Sequence, residues 1–302
     1  NFQFKILEGI MKNKTCLILV LVIVFMFTLS SFALGQKTVA DLKYVEMAHY
    51  SWIRLASYIP EVTDRVILPI GTIESHGATC SGSDTYIPIN FAKLASRKCN
   101  AFVAPAIIHG ATGLGISKHP GAITIRENIL IEYIYDVLEG LVISGFRNIF
   151  IMNGHGGNTD AITEATGRIF NKYNGKIRIL VSNWWTIPKG EEISMEAFSV
   201  PKHDIGAHGG LEEAALNQSI NPDFFDWEIF EELGPSKVAN VFEEGYQALP
   251  APYTMGYYGY YPTKNIAATK KFTQMIADYY AETFNKAVEA WDFLEKYDKG
   301  VK

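Results

Sequence analysis

Three side chains that can bind a metal lie close together in the sequence. Glu74 and His76 are separated by one residue, and Asp84 follows after a turn that contains Gly77. Residues i and i+2 of an extended chain point the same way, so the Glu74 carboxylate and the His76 imidazole are expected to converge. Two oxygen donors and one nitrogen donor suit a divalent transition metal such as zinc, manganese or iron. A surface turn with incidental charges is the alternative interpretation of this stretch alone.

A second group of polar residues is the run Asn153-Gly-His155-Gly-Gly-Asn158. It follows a predicted strand and precedes a predicted helix, and ligands of open α/β sheets bind where the strands end. The glycines leave room for the His155 imidazole to approach a metal. Two alternatives stay open. One is a phosphate-binding loop, which the spacing and the lack of a following lysine disfavour. The other is a structural turn whose histidine is incidental.

A third group lies at the start of a predicted helix. His208 precedes this helix, and Glu212 and Glu213 occupy its first turn. Acidic residues at this position complement the helix dipole, which is a structural alternative for both. Glu213 is the better functional candidate because it can face inward with Leu216, three residues later.

The elements that must position these residues alternate between strands and helices. The apolar runs predict strands at Val66–Ile73, Ala101–Ile108, Asn148–Met152 and Ile177–Ser182. Helical spacing predicts helices at Asn90–Lys98, Asn128–Ser144, Asp160–Tyr173 and Ala267–Phe293. This order predicts an α/β fold with a mostly parallel sheet covered by helices on both faces. Between Pro188 and Pro262 the composition predicts long loops around one short helix.

Composition restricts the class of protein. The chain has 302 residues, of which 48% are hydrophobic and 20% charged, and its net charge is −5. These values are typical of a globular protein, and we find no repeat or linker, so residues 36–302 are predicted to form a single domain. The chain has no basic run with interleaved aromatic residues, which disfavours a nucleic-acid partner.

The N-terminal region has the pattern of a secretory signal peptide over residues 11–35. A basic start at Met11–Lys14 precedes an apolar run from Cys16 to Leu29, and small residues lead to a cleavage point after Gly35. The protein is therefore predicted to be exported to the periplasm or the extracellular space, with no membrane contact after cleavage. An uncleaved membrane anchor is the alternative, although the apolar run is short for one.

Two cysteines, Cys80 and Cys99, remain after removal of this segment. A disulfide could persist in an exported protein. Cys80 lies in the predicted metal loop, where it could be a thiolate ligand or a small buried residue, the commoner role of a lone cysteine.

Taken together, these motifs resemble the creatininase (creatinine amidohydrolase) family over residues 64–223. Leu68–Gly77 resembles the strand and E-x-H-G signature of the family, and Asn153–Asn158 its N-G-H-G-G-N loop. Ser117–Thr124 resembles a shortened form of the H-x-x-F-P-G-T segment of the family. Ser182–Trp185 resembles its strand that ends in tryptophan, and His208–Glu213 resembles its H-A-G-E-x-E motif. The resemblance implies a three-layer α/β/α sandwich and a metal-dependent hydrolase that forms a homo-oligomer, often a hexamer.

The resemblance also implies two adjacent divalent metal ions, with zinc, manganese or iron as candidates, that share Asp84. One ion would be held by Glu74, Asp84 and His155, and the other by His76, Asp84 and Glu213. Some family members take the last carboxylate from the second residue after the loop histidine. That position is Gly157 in this chain, which favours Glu213 for the role.

The implied reaction is cleavage of the C–N bond of a small cyclic or linear amide, in which a metal-activated water adds to the carbonyl carbon and the nitrogen leaves. The catalytic candidates are His208, as the general acid that protonates the leaving nitrogen, and Glu213. Weaker candidates for substrate contact are His119, Trp184 and Trp185, although a tryptophan in the core is an equal alternative. A secreted binding protein that keeps a structural metal is the alternative function.

Three departures from the family pattern affect the substrate side. The stretch from Glu74 to Asp84 is one residue shorter, Thr79-Cys-Ser81 replaces the customary H-L-P, and Leu211 replaces the first glutamate of the last motif. The expected metal ligands are all retained. The sequence therefore predicts the reaction class and leaves the substrate open, with creatinine itself disfavoured.

Overall fold

The computed structural model describes residues 37–113, 116–199, 208–233 and 263–300. The elements below belong to one compact unit, Val39–Lys302. The strands of the described residues are β1 (Arg65–Ile70), β2 (Phe102–Val103), β3 (Asn148–Asn153) and β4 (Arg178–Asn183). The α-helices are α1 (Trp52–Ala56), α2 (Ser83–Ser96), α3 (Glu127–Ile143), α4 (Thr159–Lys172), α5 (Gly190–Phe198), α6 (Leu211–Ile220), α7 (Trp227–Leu233) and α8 (Ile266–Gly300). The predicted signal peptide lies outside the described residues, and the extent of the single domain stays a prediction.

The four strands form one sheet in the order β2-β1-β3-β4, and every neighbouring pair is parallel. Strand β3 is buried along its whole length, and β1 is buried from Val66 onward. Such continuous burial requires cover on both faces, which is why these strands are apolar at successive positions. The last residues of three strands, Ile70, Asn153 and Asn183, lie side by side in the register.

The helices form two groups around this sheet. Helices α3 and α4 pack on each other, while α2, α5 and α6 pack against the long helix α8. Helix α3 buries Leu130, Ile134, Leu138 and Leu141, a spacing of three and four residues that places them on one face. The predicted three-layer α/β/α architecture with a parallel sheet is confirmed. Within the described ranges, none of the helices combines the length and apolarity that crossing a bilayer requires.

Several predicted boundaries were wrong. Strand β1 ends at Ile70 rather than Ile73, so Glu74 and His76 follow the strand instead of lying on it. The second strand stops at Val103 because Pro105 has no N–H for the ladder, and the chain rejoins β1 only at the Ile70–Ile107 bridge.

Helix α2 begins at Ser83 rather than at Asn90. The proline at position 88 masked this start in the sequence, since a proline removes one intrahelical bond. Between Pro188 and Pro262 the described residues contain three α-helices, α5, α6 and α7, where one short helix was predicted.

Candidate metal centre

The polar residues of the three motifs meet at the carboxyl ends of β1 and β3. Gly71 follows β1 and Gly154 follows β3, and both lie against the first turn of α2. A Cβ atom on either glycine would overlap the carbonyl oxygen of Asp84. Only glycine allows this close approach, which brings the Asp84 side chain to the ends of both central strands. Ligands of open α/β sheets bind at this edge.

A tight turn, rather than strand alternation, brings Glu74 and His76 together. Gly77 has a φ of 60°, and the Thr79 N–H donates to the His76 carbonyl at 3.0 Å. The Glu74 N–H donates to the carbonyl of Ser81, also at 3.0 Å. Both side chains are almost completely buried, each with 1% of its surface exposed. The sequence-based explanation was therefore wrong, although the two side chains do converge.

Asp84 lies between the two motif histidines. Its Oδ1 is 2.9 Å from His76 Nε2, and its Oδ2 is 2.8 Å from His155 Nδ1. The carboxylate is buried, and each of its oxygens faces a different imidazole. This is the arrangement expected of a carboxylate that bridges two cations.

The ring of His76 directs a lone pair at carboxylates. Its Nδ1–H donates to the Glu74 carbonyl at 3.1 Å, so the neutral ring carries its lone pair on Nε2. That atom lies 2.9 Å from Asp84 and 3.6 Å from Glu213 Oε2, and it has no hydrogen-bond partner among the described residues. A buried lone pair that faces two carboxylates is unfavourable unless a proton or a cation lies between them.

His155 repeats this pattern. Its Nε2–H donates to the Ala111 carbonyl at 3.0 Å, which leaves Nδ1 facing Asp84 at 2.8 Å and Glu74 Oε1 at 3.2 Å. The other Glu74 oxygen, Oε2, is buried and has no partner in the part of the chain that the structure describes. A buried carboxylate oxygen of this kind is costly without a cation.

The donor atoms fall into groups that could each surround a metal ion. Atoms within 4.8 Å of one another form three sets, namely Glu74–Asp84–His155, His76–Asp84–Glu213 and Glu74–His76–His208. The first two are the groups that the family resemblance implied, with Asp84 in both. Carboxylate oxygens and imidazole nitrogens are suitable donors for zinc and manganese. The residues therefore fit two divalent cations, and their roles as ligands stay a prediction.

Without a cation, protons hold the cluster together. Burial opposes a charge on His155, but the hydrogen bonds that its ring donates to the Asp84 and Glu74 carboxylates outweigh this and raise the pKa of His155 to about 10. Burial likewise opposes a charge on His76, yet Asp84 and Glu213 hold its pKa well above the usual value. For Asp84, burial favours the neutral form, and the two histidines outweigh it and lower its pKa.

His208 lies at the edge of the cluster and is half-buried. Its Nε2–H donates to the Ser75 carbonyl at 2.7 Å, and its Nδ1 is 3.6 Å from Glu74 Oε1. The ring stacks on that of His76, with 4.3 Å between the centroids. The predicted general acid therefore turns Nδ1 toward the cluster, and a neutral ring must first accept a proton there before it can donate one.

Glu213 extends from the first turn of α6, where a Gly209 N–H donates to its Oε2. Asn217, one turn later, donates to the Glu213 carbonyl and to Ser83 Oγ, both at 2.8 Å. Asn217 thereby connects the helices that carry Glu213 and Asp84. Asn217 was not among the residues predicted from the sequence, and its spacing of four residues from Glu213 was the available signal.

The weaker substrate candidates differ in position. Trp184 is in the core, only 4% exposed, which favours its structural alternative. Trp185 is half-buried, and its Cζ2 lies close to Gly156 in the His155 loop. His119 Nδ1 is hydrogen bonded to Ser75 Oγ, between the two residues of the first motif.

Cys80 is not in any of the ligand sets found among the described residues. Its thiol donates to Asn217 Oδ1 at 3.4 Å, and burial raises its pKa to about 11, so it stays protonated at neutral pH. Cys80 and Cys99 are both free thiols.

Comparison with known proteins identifies relatives over most of the chain. A family model named Creatininase, described as creatinine amidohydrolase, matches residues 48–284. The chain is 24% identical to the creatinine amidohydrolase of Pseudomonas putida over 227 residues, which are 70% of this chain and 86% of that protein. It is 31% identical over 94 residues to the 3-dehydro-scyllo-inosose hydrolase of Thermotoga maritima, covering 31% of this chain and 30% of that protein.

Solved structures share the fold. A type II mutant of a creatininase superposes with a TM-score of 0.70 at 20% identity, covering 81% of this chain and 98% of the other. Two further creatininase structures, with TM-scores of 0.65 and 0.66, are titled as a Zn-Zn type and a Mn form.

Proposed function

The chain belongs to the creatininase family, and we propose on that premise that it is a metal-dependent amidohydrolase. Its substrate would be a small cyclic or linear amide, cleaved at the C–N bond by water. The observation that carries this proposal is the position of Asp84, whose two oxygens face His76 and His155. Beside it lies a Glu74 oxygen that has no partner among the described residues. A site with more buried acceptors than donors is suited to cations.

The protein side of the mechanism follows from these positions. Glu74, Asp84 and His155 would hold one cation, and His76, Asp84 and Glu213 the other. Such cations supply a water that is deprotonated near neutral pH and polarise the substrate carbonyl. Zinc and manganese are the proposed ions, because related structures are titled as forms of these metals.

His208 is the proposed proton carrier. Its Nε2–H is fixed by the Ser75 carbonyl, so Nδ1 is the atom that can take the proton of the attacking water and deliver it to the leaving nitrogen. His208 Nδ1 lies 3.6 Å from Glu74 Oε1 and is therefore beside the cluster. Trp185 is the better candidate for a wall of the substrate pocket, since Trp184 is part of the core.

The substrate class is proposed only as an amide. The replacements at Thr79-Cys-Ser81 and Leu211 lie in the motifs that carry the ligands, so the pocket differs from the family pattern. A non-catalytic binding protein is disfavoured, because the matched relatives are named as an amidohydrolase and a hydrolase.

The test is hydrolysis of a panel of cyclic and linear amides, creatinine included, by protein loaded with Zn²⁺ or Mn²⁺. We expect turnover of at least one amide and its loss in Glu74→Ala at unchanged far-ultraviolet circular dichroism. Glu132→Ala is the matched control, because this glutamate pairs with Arg168 on the surface and should leave turnover unchanged. Tight binding of an amide without turnover across the panel would instead support the binding protein.

Export and assembly are also proposals. The basic and apolar pattern of residues 11–35 supports export to the periplasm or the extracellular space. Cell fractionation and N-terminal sequencing of the mature protein test it, with a new terminus near residue 36 expected. Family membership supports a homo-oligomer, with a hexamer as the expected form, and light scattering coupled to size exclusion measures its mass.

A further inference from the structure

A backbone carbonyl orients the ring of His155. The oxygen of Ala111 accepts the Nε2–H of His155 at 3.0 Å, on the side of the ring away from Asp84 and Glu74. This hydrogen bond fixes the proton on Nε2 and turns Nδ1 toward the two carboxylates. The direction of the His155 lone pair therefore depends on how firmly Ala111 is held.

Ala111 is held by the side chain of Asn158. The Ala111 N–H donates to Asn158 Oδ1 at 3.1 Å, and Asn158 Nδ2 donates to the carbonyl of Gly71 at 3.1 Å. Asn158 is completely buried. One amide side chain thus connects the end of β1 to the residue whose carbonyl orients His155. Because both ends of this amide are bonded, its position is fixed in two directions.

The packing around this connection leaves no free space. A Cβ atom on Gly110 would overlap Asn158 Oδ1. A Cβ atom on Gly157 would overlap the Ala111 oxygen and would lie 2.6 Å from His155 Nε2. Gly157 is therefore required for the His155–Ala111 hydrogen bond, in addition to being the position where some relatives place a carboxylate.

We infer that Asn158 is a positioning residue for His155 and acts through the Ala111 backbone. It contacts neither Asp84 nor Glu74 in the hydrogen bonds that it makes, and it affects them only by setting the direction of Nδ1. The effect of Asn158 on cation binding rests on the proposed metal centre. Partners of this kind typically contribute 10-fold to 100-fold to metal affinity.

The experiment compares Asn158→Ala with Asn148→Ala, a matched control at the opposite end of β3. Asn148 is also buried, and its side chain donates to Asp64 at 2.8 Å, far along the strand from His155. The first measurement is solvent exchange of the His155 Nε2–H in metal-free protein by imidazole ¹H–¹⁵N spectroscopy, with the signal assigned by its loss in His155→Gln. The second is Zn²⁺ affinity by competition with a chromophoric chelator.

We expect a slowly exchanging Nε2–H in the wild type and in Asn148→Ala, and rapid exchange in Asn158→Ala. The Zn²⁺ dissociation constant of Asn158→Ala should rise about 10-fold to 100-fold, with no change in the control. Equal affinities in Asn158→Ala and the wild type, or an equal loss in Asn148→Ala, would overturn the inference.

A second variant covers the case in which Asn158→Ala does not fold. Gly157→Ala should break the same His155–Ala111 bond from the other side and give the same rapid exchange. An unprotected Nε2–H in the wild-type protein would also overturn the inference. If the wild type shows a protected Nε2–H that Asn158→Ala or Gly157→Ala loses, yet binds no Zn²⁺, the positioning of His155 stands and the proposed metal centre fails.

Discussion

The two ends of the parallel sheet differ in whether their charged side chains are paired. At the amino end, Arg178 donates to Asp292 and Glu295, each at 2.6 Å, and Asn148 donates to Asp64. The two carboxylates that pair with Arg178 are partly exposed to solvent. Every donor named here is paired with an acceptor, so these contacts stabilise the fold.

The carboxyl end of the same strands lacks this balance. Glu74, Asp84 and Glu213 are buried beside His76 and His155, and a Glu74 oxygen has no partner among the described residues. Burying unpaired charge opposes folding, so such a group persists where a bound ion or a reaction requires it. The sheet therefore supplies stability at one end and tolerates instability at the other.

The largest effect is expected from Asp84→Asn. This change keeps the shape of the side chain and removes the charge that faces both His76 and His155. We expect loss of both cations and a fall in amide turnover on the order of 10³-fold or more, since the activated water depends on them. Elemental analysis measures the metal content, and the amide hydrolysis assay measures the turnover. Full metal content in a folded Asp84→Asn protein would remove Asp84 from its proposed bridging role.

Removal of metal should destabilise the protein next most strongly. Ligand present at about 1,000 times its dissociation constant stabilises a fold by about 4 kcal/mol, so a chelator should lower the melting temperature by on the order of 10 °C. Differential scanning calorimetry with and without Zn²⁺ measures the change. Asp84→Asn serves as the control, and it should show no shift on chelation.

The metal-free protein should lose stability as the pH rises above neutral. The pKa of His155 is raised from 6.5 to about 10, so its charged form stabilises the fold fully below pH 6.5 and progressively less up to pH 10. His76 acts in the same direction. Denaturant midpoints in chelator across this range measure the trend, which should be flatter in His155→Gln. An equally steep trend in that variant would assign it to other groups.

The smallest effect is expected at the amino end. Arg178→Ala removes two ion pairs that are partly exposed, so the free energy of unfolding should fall by about 1 kcal/mol and the melting temperature by about 3 °C. Metal content and turnover should not change. A loss of metal in this variant would show that the two ends of the sheet are not independent.

Much of the architecture was predictable because local patterns determine it. The apolar runs of β1 and β3 and the three-and-four spacing in α3 gave the α/β sandwich. The start of α2 was not predictable, since Pro88 is compatible with a helix only in this tertiary setting. For the same reason the sequence could not reveal that Gly71 and Gly154 admit the Asp84 carbonyl.

The composition of the cluster was predictable in part. Local spacing identified Glu74, His76 and His155 as candidates, but the contact of Glu213 with His76 joins residues far apart in the chain. Only the family resemblance assigned Glu213 to the same site as His76. The Asn158 and Asn217 contacts were missed, because a buried asparagine cannot be distinguished from a surface one without the packed structure.

The position of Asp84 in both ligand sets has a thermodynamic consequence. A carboxylate shared by two ion positions makes them one linked system, in which occupancy of either position changes the affinity of the other. This coupling is reciprocal, so the factor by which the first ion alters binding of the second equals the factor in the reverse order. A titration of the protein with metal should therefore depart from two independent binding steps. Its cooperativity would measure the coupling between the two ion positions that the shared side chain produces.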